Sequence, residues 1–182
     1  RTMRDEMKFQ SGRKLDTAPR VFLGAAENPN VPPVAHRAAR LAKKVANGAQ
    51  FVQTQYCYDI PLLKDFLRSM EDAGIADQVF LLVGVGPLRN AKSADWMRRN
   101  VPGIHIPDSV IKRLAGAQDQ TAEGIQLCVD LMQEVREMKG VHGVHVMAFK
   151  QEDRVPEIVE RSGVLGGRVP WYPGRDAVAA TA

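Results

Sequence analysis

Residues 51–59 read FVQTQYCYD, and this stretch decides the fold. It starts as a buried strand yet carries two glutamines, Gln53 and Gln55, two positions apart. Side chains alternate across a strand, so Phe51, Gln53, Gln55 and Cys57 are expected on one side, with Val52, Thr54, Tyr56 and Tyr58 on the other. A buried carboxamide without partners costs roughly 1–3 kcal/mol. Unless backbone or water satisfies both, two on one face point to a polar lumen or a ligand rather than a plain core.

Outward from this strand, three more apolar runs read the same way: residues 20–26 (RVFLGAA), 78–85 (QVFLLVGV) and 143–149 (GVHVMAF). Their near-continuous apolar character matches strands buried on both faces, as in parallel sheets. Helical patterns lie between them. Residues 34–47 place Ala38, Leu41, Ala42 and Val45 on one stripe and end at Asn47-Gly48, a C-terminal signal. Residues 60–73 follow Asp59 as N-cap, with Pro61 in the first turn and Gly74 as the stop. Residues 90–100, 107–117, 121–139 and 155–162 complete the set. The order is β-α-β-α-β-α-α-α-β-α, with a repeat of about 30 residues where no extra helix intervenes, as βαβ units require.

Such a pattern closes as an open doubly wound sheet or as a barrel. Four parallel strands alone leave two exposed edges, an aggregation hazard. Half of a parallel (β/α)8 barrel, with this chain supplying its last four βα units, fits better. Such barrels bind ligand at the C-terminal strand ends. Here those ends are 24–28 (GAAEN), 54–56 (TQY), 84–88 (GVGPL) and 147–149 (MAF), all small, polar or bendable. Residues 1–182 are expected to form a single domain, with 163–182 an extended Gly/Pro- then Ala-rich tail.

Composition narrows the class. The hydrophobic share is 45%, the charged share 25% and the net charge +4, as in an ordinary globular domain. Basic residues are interspersed with acids, so no nucleic-acid footprint is expected. No run reaches the roughly 18 apolar residues of a membrane helix, and the polar start RTMRDEMKFQ lacks the apolar stretch of a signal peptide. The two cysteines, Cys57 and Cys128, sit in apolar patterns as packed thiols, which points to a reducing cytoplasm.

The strand ends in order, GAAENPN, LAKKVANGAQF, VQTQYCYD, GVGPLRN and PGIHIPDSVIKRL, resemble the C-terminal half of the catalytic barrel of 5,10-methylenetetrahydrofolate reductase. The likeness runs from about Val21 to Ser162, and KKVxxGAxFxxTQxxxD is its most specific part. The resemblance implies an FAD-dependent oxidoreductase of one-carbon and methionine metabolism. NADH or NADPH reduces the flavin, and 5,10-methylenetetrahydrofolate then accepts the hydride to give 5-methyltetrahydrofolate.

It also implies roles for particular residues. Gln55 matches the glutamine that hydrogen-bonds the pterin, Lys44 a lysine near the FAD phosphates, and Met97 the position of a stacking aromatic. Ala25, Ala26, Glu27 and Asn28 fall in the strand-end loop that lies along the flavin. Two departures stand out. Residues 27–33 (ENPNVPP) replace the family's aromatic-Pro-x-x-His-Pro-Glu-Ala run, and Arg37 stands where an acidic residue can hold the FAD ribose. The family's substrate-protonating glutamate and flavin-facing aspartate lie on the first four strands, and no position here matches them. The expectation is a chain that begins mid-protein, completed by the N-terminal half of the barrel, roughly 120–130 residues in a barrel of typical size, or by a partner chain. A second copy is a further candidate partner.

Other motifs carry less. His142 and His145, three apart on a strand, point to opposite faces and do not chelate easily, so no metal site is expected. Gly84-Val85-Gly86 lacks the third glycine of a dinucleotide fingerprint. Gly124, inside a helix, marks close packing. Two functions from different classes follow: a flavin-dependent reductase, or a non-catalytic folate- or flavin-binding half-barrel that works through a partner.

Overall fold

The computed structural model describes residues 1–169. Four strands, β1 (Gly24–Glu27), β2 (Phe51–Tyr56), β3 (Phe80–Val85) and β4 (Gly143–Val146), form one sheet in the order β1-β2-β3-β4. Every pair is parallel. The helices are α1 (Thr2–Asp5), α2 (Arg37–Ala46), α3 (Ile60–Asp72), α4 (Ala91–Asn100), α5 (Asp108–Gly116), α6 (Gln120–Arg136) and α7 (Val155–Ser162). A doubly wound sheet reverses its strand order at a switch point. Here each strand adds beside the last, so the sheet is an arc of a (β/α)8 barrel.

Local chemistry sets the elements. Asp59 Oδ1 accepts the Leu62 N–H at 2.9 Å and caps α3. Asn90 and Ser93 close a reciprocal capping box on α4, and Asp119 caps α6 through Thr121 and Ala122. Each cap satisfies N–H groups that a helix start leaves unpaired. Gly124 lies where a Cβ would come 1.7 Å from the Leu88 carbonyl oxygen, so α6 packs against the end of β3 as closely as the sequence implies.

The two faces of the sheet differ. Val52, Thr54, Leu81, Val83 and Val85 are buried, the apolar ones in one core with Leu63, Phe66, Ile125, Cys128, Met132 and Ile158 from the helices. On the other face, Gly24, Ala26 and Phe80 are exposed, and Phe51, Gln53 and Leu82 are half-buried. The apolar strands are thus covered by helices on one face and present a lumen on the other, rather than being buried on both. At the N-terminal end of this lumen, Phe22 stacks on Phe51 at 5.5 Å, and Phe80 meets His142 edge-on at 5.1 Å. These rings form an aromatic floor.

Three expectations need correction. The first strand begins at Gly24 rather than Arg20. The Gln50 side chain takes the Leu23 N–H at 3.1 Å, so ladder pairing starts after it. The last strand stops at Val146, and one further bond, Met147 N–H to the Val85 carbonyl, ends the pairing. Residues 163–167 turn rather than extend, while 170–182 of the expected tail lie outside the described residues.

Both thiols sit in the core. Burial pushes Cys57 up to about 11, opposed by a weaker hydrogen bond from Thr54, and burial pushes Cys128 to about 12. The folded chain therefore keeps both protons where unfolded thiols, near pH 8.5, lose theirs. This stability is complete below about pH 8.5 and is lost as pH rises, up to about 11 for Cys57 and about 12 for Cys128, by about 1.4 kcal/mol per pH unit and thiol. Burial moves Tyr58 in the same direction. Urea melts are expected to show a lower midpoint at pH 10.5 than at pH 8; equal midpoints would contradict the assignment.

Candidate functional site

At the C-terminal end of the strands a cavity of about 530 Å³ opens on the lumen face, lined by Ala26, Glu27, Asn28, Arg40, Lys44, Gln53, Gln55, His145 and Met147, among others. Ligand sites are typically concave and of roughly 300–1,000 Å³. The glutamine strand supplies one wall, β1 and α2 a second, and the end of β4 a third.

The wall on β2 is shaped by a bulge. Gln53 pairs with Leu82 but Tyr56 with Gly84, so three steps on β2 oppose two on β3. The Thr54 hydroxyl accepts the Gly84 N–H at 2.8 Å in place of a backbone carbonyl, and the Cys57 N–H then reaches the Gly84 carbonyl at 2.9 Å. A bulge flips the alternation beyond it. Cys57 therefore does not share the glutamine face. It is buried beside Thr54, with its sulfur 3.3 Å from the hydroxyl.

The glutamines remain on the cavity side. Gln55 Oε1 accepts the Tyr56 N–H at 3.0 Å, which fixes the carboxamide orientation and leaves Nε2 as the group free to donate. Gln53 makes no side-chain hydrogen bond among the described residues. His145 Nδ1 is buried without a partner. Met147 joins them, its carbonyl accepting the Tyr56 hydroxyl at 2.8 Å.

Charge sits on the opposite wall. Lys44 donates to Glu27 Oε2 at 2.8 Å and to the Ala26 carbonyl. Arg40 lies 3.7 Å from Glu27 Oε1, which also accepts the Asn28 N–H at 3.0 Å. The Glu27 side chain is only 3% exposed, whereas Lys44 and Arg40 reach solvent. Two cations at the rim suit an anionic group. Arg37, one turn earlier on α2, is 1% exposed; its Nε donates to the Val34 carbonyl and both terminal nitrogens lack partners. Burial lowers its pKa, the field of Asp65 opposing.

Of the residues singled out in the sequence, Ala26, Glu27, Asn28, Lys44 and Gln55 meet at this cavity. Ala25 packs against the core, and Met97 is half-buried on α4, also against the core; neither lines the cavity. Asn28 spans a gap by donating to the Gly103 carbonyl at 3.0 Å. Sequence reasoning missed Arg40, weighed His145 only as a metal ligand, and named Met147 only within the strand-end run 147–149. The signal for Arg40 was its spacing of four from Lys44 on one helix face. That for the other two was the register of β4, in which His145 pairs with Gly84. It also missed a second strand-end carboxylate: Asp59 Oδ2 lies 3.0 Å from His105 Nδ1 beyond β2. Among the described residues, no three His, Cys, Asp or Glu side chains gather to hold a metal ion, and no helix is long and apolar enough to cross a membrane.

Comparison with known proteins agrees with this architecture. The family model for methylenetetrahydrofolate reductase matches residues 16–163. Methylenetetrahydrofolate reductase 1 of Schizosaccharomyces pombe is 27% identical over 129 residues, 69% of this chain but 21% of that protein. Among solved structures, an uncharacterized protein from Clostridium thermocellum that binds two copies of 5-methyl-5,6,7,8-tetrahydrofolic acid superposes with a TM-score of 0.60 at 19% identity, covering 85% of this chain and 60% of that one. The chain thus spans about a fifth of the yeast protein and three-fifths of the bacterial one. With a family match across most of its length, a parallel barrel arc and a polar cavity at the strand ends, the chain belongs to the methylenetetrahydrofolate reductase family.

Proposed function

We propose that this chain carries the folate- and flavin-binding part of a reductase that converts 5,10-methylenetetrahydrofolate to 5-methyltetrahydrofolate with NADH or NADPH. The observation that carries the reading is the pairing, across one cavity, of the Gln53–Gln55 carboxamides with the Arg40–Lys44 cations. The folate bound by the Clostridium thermocellum neighbour adds support.

The residues fit the expected groups at two points. Lys44 and Arg40 would hold the diphosphate of FAD, and the small, exposed Ala26 leaves room beside them. FAD, when bound, supplies the relay that moves a hydride from the nicotinamide to folate. Arg37 contributes nothing to a ribose hydroxyl, because it is buried away from the cavity. Gln55 orients the pterin: its Oε1 is held by Tyr56, so Nε2 donates to a pterin acceptor. Met97, packed on α4, would act only through the helix it steadies.

Gln55→Ala in the full-length gene product is the test. Loss of one or two hydrogen bonds, roughly 1–3 kcal/mol, is expected to raise the folate KM about 5- to 150-fold while flavin reduction by NAD(P)H keeps its rate. If both half-reactions are unchanged, the pterin does not lie on Gln55.

A second reading is favoured by one observation. Glu27, the carboxylate of the cavity wall, is engaged by Lys44, Arg40 and a backbone N–H rather than free to protonate substrate. A non-catalytic folate- or flavin-binding half-barrel acting through a partner would look the same. Flavin absorbance together with methyltetrahydrofolate formation by the full-length gene product supports the reductase; ligand binding without turnover supports the alternative.

A further inference from the structure

Arg37, Arg40 and Lys44 are spaced i, i+3, i+7, which aligns them on one face of α2. That face lies beside the end of β1, where one carboxylate, Glu27, serves the ladder. It contacts Lys44 at 2.8 Å and Arg40 at 3.7 Å, and its field reaches Arg37. Asp65, the other acid whose field Arg37 feels, is paired with Arg68 on α3. Two cations, Lys44 and Arg40, thus share one acid, while Arg37 feels Asp65 more than Glu27 and its guanidinium ends have no hydrogen-bond partner. Lys44 and Arg40 together carry one more positive charge than the Glu27 they share.

Glu27 is also unusual in its placement. A carboxylate at the end of a strand normally faces water, but here the side chain is buried in the cavity wall and held on both oxygens. Its partners, Lys44 and Arg40, are the cations that reach the cavity. An anion entering the cavity meets these two groups already committed to an internal acid.

We propose that Glu27 is a resident counter-ion: it occupies Lys44 and Arg40 in the empty site and yields them to an incoming diphosphate, so that it sets the affinity and charge preference of the anion subsite. Releasing Glu27 from Lys44 and leaving it near a new anion opposes binding, so the carboxylate weakens the site for highly charged ligands. The subsite then holds a dinucleotide diphosphate, whose other contacts offset that cost, in preference to free phosphate or pyrophosphate. The dinucleotide part of this statement rests on the flavin reading above; the counter-ion role rests on the geometry alone.

The experiment measures pyrophosphate and FAD binding to the full-length gene product, freed of bound nucleotide, by calorimetry. Glu27→Gln keeps the shape and removes the charge. It is expected to tighten pyrophosphate binding at least about fivefold, while Arg40→Leu weakens it by a similar factor. Unchanged or weaker pyrophosphate binding by Glu27→Gln overturns the proposal. Should Glu27→Gln lose its cooperative melt, Arg40→Leu on the rim decides, and its unchanged affinity overturns the proposal equally. FAD separates the two readings. A pyrophosphate response to Glu27→Gln without FAD binding keeps the counter-ion and removes the flavin. FAD binding with a pyrophosphate affinity indifferent to Glu27 removes the counter-ion and keeps the flavin.

Discussion

Gly86→Ala is expected to cost about 3 kcal/mol or more and to lower the melting temperature by about 6–12 °C for a domain of this size. A Cβ at this position would lie 2.1 Å from the Met147 carbonyl oxygen and 2.6 Å from the Tyr56 ring. That same carbonyl accepts the Tyr56 hydroxyl of β2 at 2.8 Å, so the end of β4 cannot move off Gly86 without breaking its bond to β2. Gly84 is nearly as confined, with a Cβ 2.5 Å from the Thr54 oxygen and 2.6 Å from that of Gln55. Neither glycine is required for a left-handed backbone, since neither has a positive φ; the requirement is space for a backbone oxygen. Gly116→Ala is the control. Nothing lies within 4 Å of its would-be Cβ, and there the substitution is expected to be neutral or to stabilise by about 0.4–1 kcal/mol. Equal melting temperatures for the Gly86 and Gly116 variants would mean that the strand ends are looser than this packing.

These glycines also explain which parts of the site were legible in the sequence. Gly84-Val85-Gly86 reads as half of a nucleotide motif, but the structure uses both glycines to let the β2 bulge and the Met147 carbonyl approach β3. Close approach leaves no mark in a single strand, because the neighbour that demands it is distant in sequence. Helix ends were legible for the opposite reason: Asp59 accepts the Leu62 N–H one residue after Pro61, within its own turn. The two glutamines on one face were legible because alternation is local. The bulge beyond them was not, since it depends on the Thr54 hydroxyl intercepting Gly84 N–H from another strand. It moved Cys57 to the opposite face from the one alternation assigned. Arg37 was misleading in another way. The resemblance set Arg37 at a ribose-holding position, yet tertiary packing leaves it 1% exposed and off the cavity. Lys44 was found beside the cavity, but its commitment to Glu27 was invisible, because the pair is seventeen residues apart and joined only by the fold.

A polypeptide of these 182 residues alone is expected to form no methyltetrahydrofolate above background; on the proposed reductase reading, turnover with FAD and NAD(P)H is expected only from the full-length gene product with its barrel completed. Opening the imidazolidine ring of methylenetetrahydrofolate requires an acid, and general acid catalysis typically contributes 10²–10⁴-fold. Within the cavity, Glu27 is the carboxyl group present, and Lys44, Arg40 and the Asn28 N–H engage it. Asp59 is no substitute, since one oxygen caps α3 and the other meets His105. Positioning compounds the deficit. Among the described residues β1 and β4 each pair on one side only, so the walls that face Gln53 and His145 across a closed barrel are not supplied, and misplacement of about 1 Å can cost 10²-fold. The assay is NAD(P)H-dependent formation of methyltetrahydrofolate by the two polypeptides, with FAD added to both. Comparable turnover would make Glu27 or Asp59 the acid and would remove the half-barrel reading. Turnover in the full-length gene product alone would place the acid outside this chain.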